Sequence, residues 1–190
     1  TAERLARVGG PTRRIPDVRH EDDLRLLERL MRTFPRLGGD DGWAARFGRE
    51  LNASDDRGSF CADGMPVIEG KHIEPFRMHA TRATVRVRPE DAMRLLPDGR
   101  HLRPRVAYRD VSSVGNMRPL IAAVLPADVV TTHTLFCLKT SVSEQGAHFL
   151  CGVLNSFVIN LAVRMLMGGH VTTSLAEQLP VPAWSGTPRQ

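Results

Sequence analysis

The segment 145–167 constrains the fold of this chain more than any other part of the sequence. Its apolar side chains occupy nearly every side of a helix instead of one stripe. They are Phe149, Leu150, Val153, Leu154, Phe157, Val158, Leu161 and Leu166. Such a helix must be buried, because it has no polar face to turn toward water. The sequence therefore predicts one core helix that ends before Gly168, and we interpret Asn155 inside it as a buried amide bonded to neighbouring backbone.

Several β-rich runs precede this helix. Val85 and Val87 alternate with Arg86 and Arg88, so that stretch predicts a strand with one apolar and one cationic face. The polar residues 112–117 separate two further runs and are typical of a hairpin loop. Short strands with a core helix near the C-terminus predict an α+β fold with a small mixed or antiparallel sheet. The remaining strand-like runs are 43–51, 66–68, 106–111, 120–125 and 129–138.

The two ends of the chain differ from its middle. Residues 1–19 are rich in Arg, Pro and Gly and show no periodicity, whereas 21–34 carries Leu at helical spacing behind three carboxylates. We therefore predict a connector with one amphipathic helix over 1–42, a main domain over 43–182 and a loose tail over 183–190.

Positive charge is concentrated in the middle of the sequence. The chain has a net charge of +5, and residues 77–118 hold ten arginines against only four acidic residues. The rest of the chain has one more acidic than basic residue. A polyanion such as nucleic acid is the natural partner for such a block. A genome-wide preference for Arg would give a similar composition, since Lys71 and Lys139 are the only lysines.

Signals for catalysis are weak. The sequence has no Pro-Pro pair, so it lacks the Asn/Asp-Pro-Pro-aromatic loop with which adenine methyltransferases hold a flipped base. Its paired glycines lack the strand context of a cofactor-binding turn. Three widely spaced cysteines, Cys61, Cys137 and Cys151, favour free thiols in a reducing cytoplasm over disulfides or a zinc site. No apolar stretch approaches the roughly 18 residues needed to cross a bilayer, so we expect a cytoplasmic protein without a metal or cofactor of its own.

Besides a non-catalytic domain that binds nucleic acid, two other functions stay open. Glu69 and Lys71 follow a short strand, and Asp55 and Asp56 lie upstream. An acid followed by acid-x-Lys is how many metal-dependent nucleases hold Mg²⁺ and position a water. The other alternative is a protein-interaction module that uses the 21–34 helix and an Arg-rich surface.

Three ordered segments carry a resemblance to a known family. They are PVIEGKHIEPF (66–76), RVAYRDV (105–111) running on to 125, and FLCGVLNSF (149–157) followed by QLPVP (178–182). In order and spacing they resemble the TaqI-like C-terminal specificity domain of type II restriction-modification methylases. That group includes large fused restriction-methylation enzymes and phage-defence methylases. The resemblance spans residues 43–182, and its specificity lies in the order of the pieces.

The resemblance implies a domain that selects a target in double-stranded DNA while another domain does the chemistry. In this family a methyltransferase catalytic domain precedes the specificity domain in the same polypeptide and faces it across a DNA-binding cleft. That domain methylates a flipped adenine with S-adenosylmethionine, so this chain needs no cofactor of its own. A nuclease, where such proteins have one, lies at the far N-terminal end, which disfavours the Glu69–Lys71 alternative.

Phosphate contacts are expected to supply most of the affinity for DNA. Lys71 and His72 follow Gly70, where a tight turn would bring an ammonium and backbone amides close to a phosphate. A cationic stretch follows, and we expect it to contact phosphates as well. The alternative is that its arginines only form the solvent-exposed face of a sheet. The stretch contains Arg77, Arg82, Arg86 and Arg88.

Base contacts are expected from the predicted hairpin loop. Arg109 and Arg118 flank the loop and Asn116 lies in it, so a hairpin in the major groove would bring Arg to guanine and Asn to adenine. A structural pair with the adjacent Asp110 is the alternative for Arg109. Short polar stretches next to apolar elements are also expected to line the cleft, and they contain His133, His170 and Thr172.

Overall fold

The computed structural model describes residues 2–10, 14–112 and 115–184. Both helices and short strands occur along these ranges, which confirms the predicted α+β class. The α-helices within them are α1 (Ala2–Gly9), α2 (Glu21–Thr33), α3 (Pro89–Leu95), α4 (Glu144–Leu154), α5 (Phe157–Leu166) and α6 (Thr173–Glu177). The strands within them are β1 (Phe47–Gly48), β2 (Phe60–Cys61), β3 (Met65–Ile68), β4 (Ile73–Glu74), β5 (Arg77–Met78), β6 (Arg86–Val87), β7 (Arg105–Arg109), β8 (Ala122–Leu125), β9 (Val130–Thr131) and β10 (Leu135–Leu138).

The described strands form two four-stranded sheets and one small hairpin. The first sheet has the order β1-β10-β7-β8 and is antiparallel throughout. The second has the order β2-β6-β3-β9, with one parallel pair between β3 and β9. Strands β4 and β5 pair with each other. The predicted hairpin around 112–117 is confirmed, since β7 and β8 pair with Arg105 opposite Leu125 and Tyr108 opposite Ala122.

The first sheet is covered on both faces. Val106 and Tyr108 of β7 belong to the same apolar cluster as Leu150 of α4. Ala107 lies between them and belongs to a second cluster with Ile68 of β3. Because successive residues of a strand point to opposite faces, β7 contributes to the core on both sides. A continuous apolar strand of this kind is the pattern of a sheet buried in the middle of a domain.

The predicted single core helix is wrong, because two helices occupy the segment. Their axes differ by 61° at residues 155–156. The Asn155 side chain leaves the helix to pair with β8, where Ala122 N donates to its Oδ1 at 3.1 Å and its Nδ2 donates to Ala122 O at 2.8 Å. Ser156 then caps α5 by accepting from Ile159 N at 3.2 Å. The interpretation of Asn155 as a buried amide bonded to backbone is confirmed.

Helices α4 and α5 are both rich in apolar residues. Within the described ranges, each helix taken singly is too short or too polar to cross a bilayer, and only α4 and α5 together reach the necessary length and composition, across their bend.

The predicted connector shares the main core. Leu27 of α2 is fully buried in the cluster that contains Val106, and Leu24 and Met31 pack against it. Leu30 of α2 instead lines an apolar groove of about 440 Å³ between α2, α4 and α5. The predicted helix over 21–34 is therefore confirmed, and its apolar residues contact this same chain.

Other sequence predictions need correction. The aperiodic stretch 1–19 contains helix α1, which an i,i+4 ion pair between Glu3 and Arg7 at 3.0 Å stabilises. Helix α3, with Pro89 in its first turn, lies between the strand-like runs at 85–88 and 106–111, where no helix was predicted. The run 129–138 is divided into β9 and β10 by a turn, and 43–51 contributes only the two-residue strand β1.

The chain after α6 continues as an extended segment that leads to the predicted tail. The extended segment at 179–182 pairs with the chain after α2, where Leu37 N donates to Leu179 O at 2.9 Å and Val181 N donates to Pro35 O at 3.0 Å. The predicted loose tail lies mostly outside the described residues, which end at 184.

A buried ion pair joins the two sheets. Arg105 of β7 contacts Glu50, which follows β1, through two hydrogen bonds of 2.7 and 2.8 Å. Glu50 also accepts from the backbone N of Thr131 in β9 at 2.8 Å. Arg105 in turn donates to Val129 O at 2.9 Å. The side chains of Arg105 and Glu50 are only 2% and 0% exposed, so one arginine of the central cationic block is internal.

We expect the Arg105→Met variant to be strongly destabilised, because it leaves the Glu50 carboxylate buried without its counter-charge. Breaking one side of a buried pair costs about 3–5 kcal/mol. Urea unfolding would measure this loss. Arg25→Ala is the matched control, since its pair with Glu21 is exposed, and exposed pairs contribute about 1 kcal/mol or less. Equal losses in the two variants would contradict the assignment.

We expect the Asn155→Leu variant to lose about 2 kcal/mol of unfolding free energy, because Ala122 N would be left buried without an acceptor. Ala122 O would lose one donor and keep its hydrogen bond from Phe76 N. Ser156→Ala removes only the α5 cap and should cost about 1 kcal/mol. Chemical denaturation of both variants tests this ranking, which a milder effect of Asn155→Leu would refute.

Candidate nucleic-acid interface

A cavity of about 340 Å³ opens where β3 and β7 end and β10 begins. Segments that are far apart in sequence meet there because β3 pairs with β9, and a turn at 132–134 leads from β9 into β10 beside β7. The residues that line it are Glu69, Gly70, Lys71, Arg109, Val111 and Thr134.

The turn after β3 is held by hydrogen bonds on both sides. Gly70 N donates to Thr134 Oγ1 at 2.9 Å. Glu69 N donates to His72 Nδ1 at 3.0 Å, and His72 N donates to Glu69 O at 2.8 Å. The turn thereby presents Lys71, whose side chain is 70% exposed and lies 2.6 Å from the Glu69 carboxylate. The Gly70 amide is therefore already bonded to Thr134 within the protein.

His72 has a structural role. The residue is only 3% exposed, whereas the predicted contact with a phosphate would need its side chain at the surface. Burial lowers the pKa of His72 below its usual value, and the neighbouring Lys71 and Arg82 act in the same direction against the carboxylate of Glu69. The neutral ring is required here, because Nδ1 must accept the Glu69 hydrogen bond.

Arg109 and Asp110 do not pair with each other as the structural alternative predicted. The Arg109 guanidinium is half-buried and donates to Ile73 O. Asp110 pairs instead with Arg49, at 3.0 Å between Oδ2 and Nη2. Arg49 was missed at the sequence level, because it shares the alternate positions of the run 43–51 with apolar residues and was taken only as part of a predicted strand.

Asp110 also lies beside the chain after α5. Its Oδ1 is 3.5 Å from His170 Nδ1, and Val111 forms a β-bridge with His170. Thr134 O accepts from Asp110 N at 3.1 Å. We call this surface the strand-end face, and its members are Arg49, Lys71, Arg109, Asp110, Thr134 and His170.

Three other predicted contacts lie on adjoining loops. His133 Nδ1 accepts weakly from Ala53 N at 3.4 Å, on the loop that follows β1. The Thr172 hydroxyl caps α6 by accepting from Leu175 N at 3.2 Å, so its first role is structural. Asn116 is exposed, and its Nδ2 lies 3.4 Å from Ser112 Oγ. Residues 113 and 114 of that loop lie outside the described ranges.

The two arginines that flank the hairpin loop do not act as a pair. Arg118 lies over the ring of Phe157 in α5, at 5.0 Å from its centroid. Arg109 contacts β4 on a different side of the loop. The prediction that one hairpin tip carries both side chains into a groove therefore has no support in this geometry.

The arginines of the predicted cationic stretch are used in different ways. Arg82 pairs with Glu74 at 3.3 Å, and Arg86 donates to Gly64 O at 3.1 Å. Arg77 and Arg88 are exposed, and neither takes part in an ion pair with any described residue. The central block is thus divided between structural contacts and free surface charge, rather than forming one cationic patch.

The residues of the nuclease alternative are not brought together. Asp55 and Asp56 accept from Asn52 at 2.6 and 2.7 Å, while the Glu69 carboxylate pairs with Lys71. Across the described part of the chain, no three His, Cys, Asp or Glu side chains gather in a way that could hold a metal ion.

The cysteines are free thiols. Cys137 and Cys151 are buried and Cys61 is half-buried. Burial raises the pKa of the Cys137 thiol to about 12 and that of Cys151 to about 11, so both remain protonated and behave as small apolar side chains.

Comparison with known proteins finds similarity among solved structures. No family model and no curated protein matches the sequence. Among solved structures, the chain is similar to the HsdS subunit from Thermoanaerobacter tengcongensis, with 16% identity and a TM-score of 0.38 over 86% of this chain and 40% of that one. The chain therefore spans less than half of that protein, and a similarity at this level carries no inference about fold or function. The resemblance to TaqI-like specificity domains stays a prediction from the sequence.

We expect the turn that carries Lys71 to loosen in acid. Because the folded-state pKa of His72 lies below its usual 6.5, the unfolded chain binds a proton first as the pH falls through about 6.5. The free energy of unfolding should therefore be constant above that pH and decrease below it, until the folded-state pKa is reached. His101 is fully buried and its pKa is lowered by burial in the same way, so it adds to the slope.

Urea unfolding from pH 8 to pH 5 measures this dependence. His72→Asn keeps an acceptor for the Glu69 amide but cannot titrate, so its slope should be shallower than that of the unmodified chain. An unchanged slope would show that His72 does not resist protonation.

Proposed function

We propose that this chain selects a target sequence in double-stranded DNA, as the recognition part of an adenine-specific restriction-modification methyltransferase. The observation that carries the proposal is the strand-end face, where three distant parts of the chain meet. Lys71 lines the cavity, and Arg49 and His170 both contact Asp110, which lies between the cavity-lining residues 109 and 111. Cationic and polar side chains held at loop ends suit DNA, because phosphate contacts position a protein while base contacts specify the sequence.

The segments that carry the family resemblance are neighbours in space. Segment 66–76 supplies β3 and the turn with Lys71, and segment 105–125 supplies β7, Asp110 and β8. Segment 149–157 contains Asn155, which holds β8 from the helical side. Motifs that are separated in sequence thus surround or support one face, as expected if they serve one function.

Exposed cations are the proposed phosphate contacts. Lys71 is the first of them, since its exposed pair with Glu69 contributes about 1 kcal/mol or less and can be exchanged for a phosphate. Arg77 and Arg88 are exposed side chains available for the same purpose. Each phosphate that such a cation neutralises releases a counterion, which makes binding depend on salt.

The catalytic context of the proposal rests on the sequence resemblance. In it, a methyltransferase domain lies N-terminal in the same polypeptide, binds S-adenosylmethionine and methylates the flipped adenine. This chain forms the other wall of the DNA cleft and chooses the site. The whole would act in the cytoplasm, in modification of host DNA and defence against phage.

We expect the 190-residue chain to bind duplex DNA with an affinity that decreases steeply as KCl increases. Lys71→Ala should weaken binding to all duplexes and lower the slope of log K against log salt by about 0.9, the value for one lost phosphate contact. Fluorescence anisotropy with labelled duplexes measures both quantities, beginning at low salt because the proposed catalytic wall is absent.

Arg25→Ala is the matched control, since Arg25 is an exposed cation on α2 outside this face, and its removal should leave the slope unchanged. Absence of binding at low salt would refute the proposal. Plasmid cleavage with Mg²⁺ that Lys71→Ala abolishes would favour the nuclease alternative instead.

A further inference from the structure

Arg49 is an exposed side chain that is nevertheless restrained. Its side chain is 53% exposed, and its Nη2 lies 3.0 Å from Asp110 Oδ2. The guanidinium also lies over the ring of Phe136, at 5.2 Å from the centroid. A free arginine at a surface has many rotamers, and ordering it on binding costs free energy. Because the two contacts already restrict the rotamers of Arg49 in the unbound chain, less conformational entropy is lost when a ligand binds.

The support for Arg49 is itself fixed. The Asp110 side chain is only 11% exposed. Its backbone N donates to Thr134 O at 3.1 Å, and its backbone O accepts from Val171 N at 3.2 Å. The carboxylate therefore lies at a defined place on the strand-end face and orients Arg49 relative to the cavity.

The chemistry of this pair favours a neutral, acceptor-rich ligand over an anion. The Asp110 carboxylate next to the guanidinium repels a phosphate at close range, whereas the edge of a base carries no net charge. No hydrogen bond to another described residue occupies Arg49 Nη1 or Nε. A guanidinium offers its free N–H groups as a planar fork, and guanine O6 and N7 accept two such bonds in the major groove.

We propose that Arg49 reads a guanine of the target sequence and that Asp110 and Phe136 are positioning residues for it. This inference rests on the proposed function, and it assigns base reading to a residue other than those of the hairpin loop. Lys71 contacts phosphate beside it and contributes affinity without sequence choice.

The test is selection of preferred duplexes from a randomised library, with the full chain at low salt. The unmodified chain should prefer guanine at one position. Arg49→Lys keeps the charge but loses the fork, so the preference at that position should decrease by about tenfold to a hundredfold, while other positions keep theirs. Asp110→Asn should weaken the same preference, because the guanidinium loses its charged support.

Two further variants make the result specific. Lys71→Ala should lower affinity for every sequence by the same factor and leave the guanine preference intact. Arg49→Gln offers a second substitution whose side chain pairs with adenine, and it should move the preference at that position from guanine to adenine. Thermal unfolding of each variant checks that the fold persists.

The outcomes separate the two proposals. If Arg49→Lys and Arg49→Gln keep the original base preferences, or if the selected sites contain no preferred guanine, the assignment of Arg49 is overturned while sequence-specific binding stands. If the unmodified chain binds no duplex selectively, the proposed function fails and the role of Arg49 with it.

Discussion

The buried pair of Glu50 and Arg105 is the interaction on which the arrangement of the two sheets depends. It ties β7 of the first sheet to β9 of the second, and hydrogen bonds from Thr131 and to Val129 satisfy the remaining polar groups. A charge pair without water is tolerated only when it is fully bonded in this way. Since β9 also pairs with β3, the same contact places the turn with Lys71 beside the end of β7. It also sets the position of Arg49, the residue before Glu50.

The helical layer depends on a second polar contact inside an apolar core. Asn155 ends α4 and bonds both backbone groups of Ala122. Asn160 of α5 accepts from Leu120 N at 2.8 Å, so the approach to β8 is held by two buried amides. These polar side chains therefore fix the position of the apolar helices relative to the sheet. Apolar packing alone would define that position less well.

The charge of the chain has two different uses. Arg105 is internal, while Arg94 and Arg100 pair with the nearby Asp91 and Asp98 at 2.8 and 2.7 Å. The cations left on the surface are fewer than the composition implies, and the strand-end face combines them with a carboxylate. The charge of this face is therefore mixed and not uniformly positive.

The amino-acid pattern was enough to predict the α+β class, helix α2, the β7–β8 hairpin and the buried role of Asn155, because these follow from local periodicity and from the cost of burying an amide without partners. It also indicated Lys71, which follows a strand and a glycine. The break between α4 and α5, the internal place of Arg105, the burial of His72 and the pairing of Arg49 with Asp110 became visible only in the folded chain. Each of these depends on which distant residue a polar side chain meets, and local sequence does not contain that information.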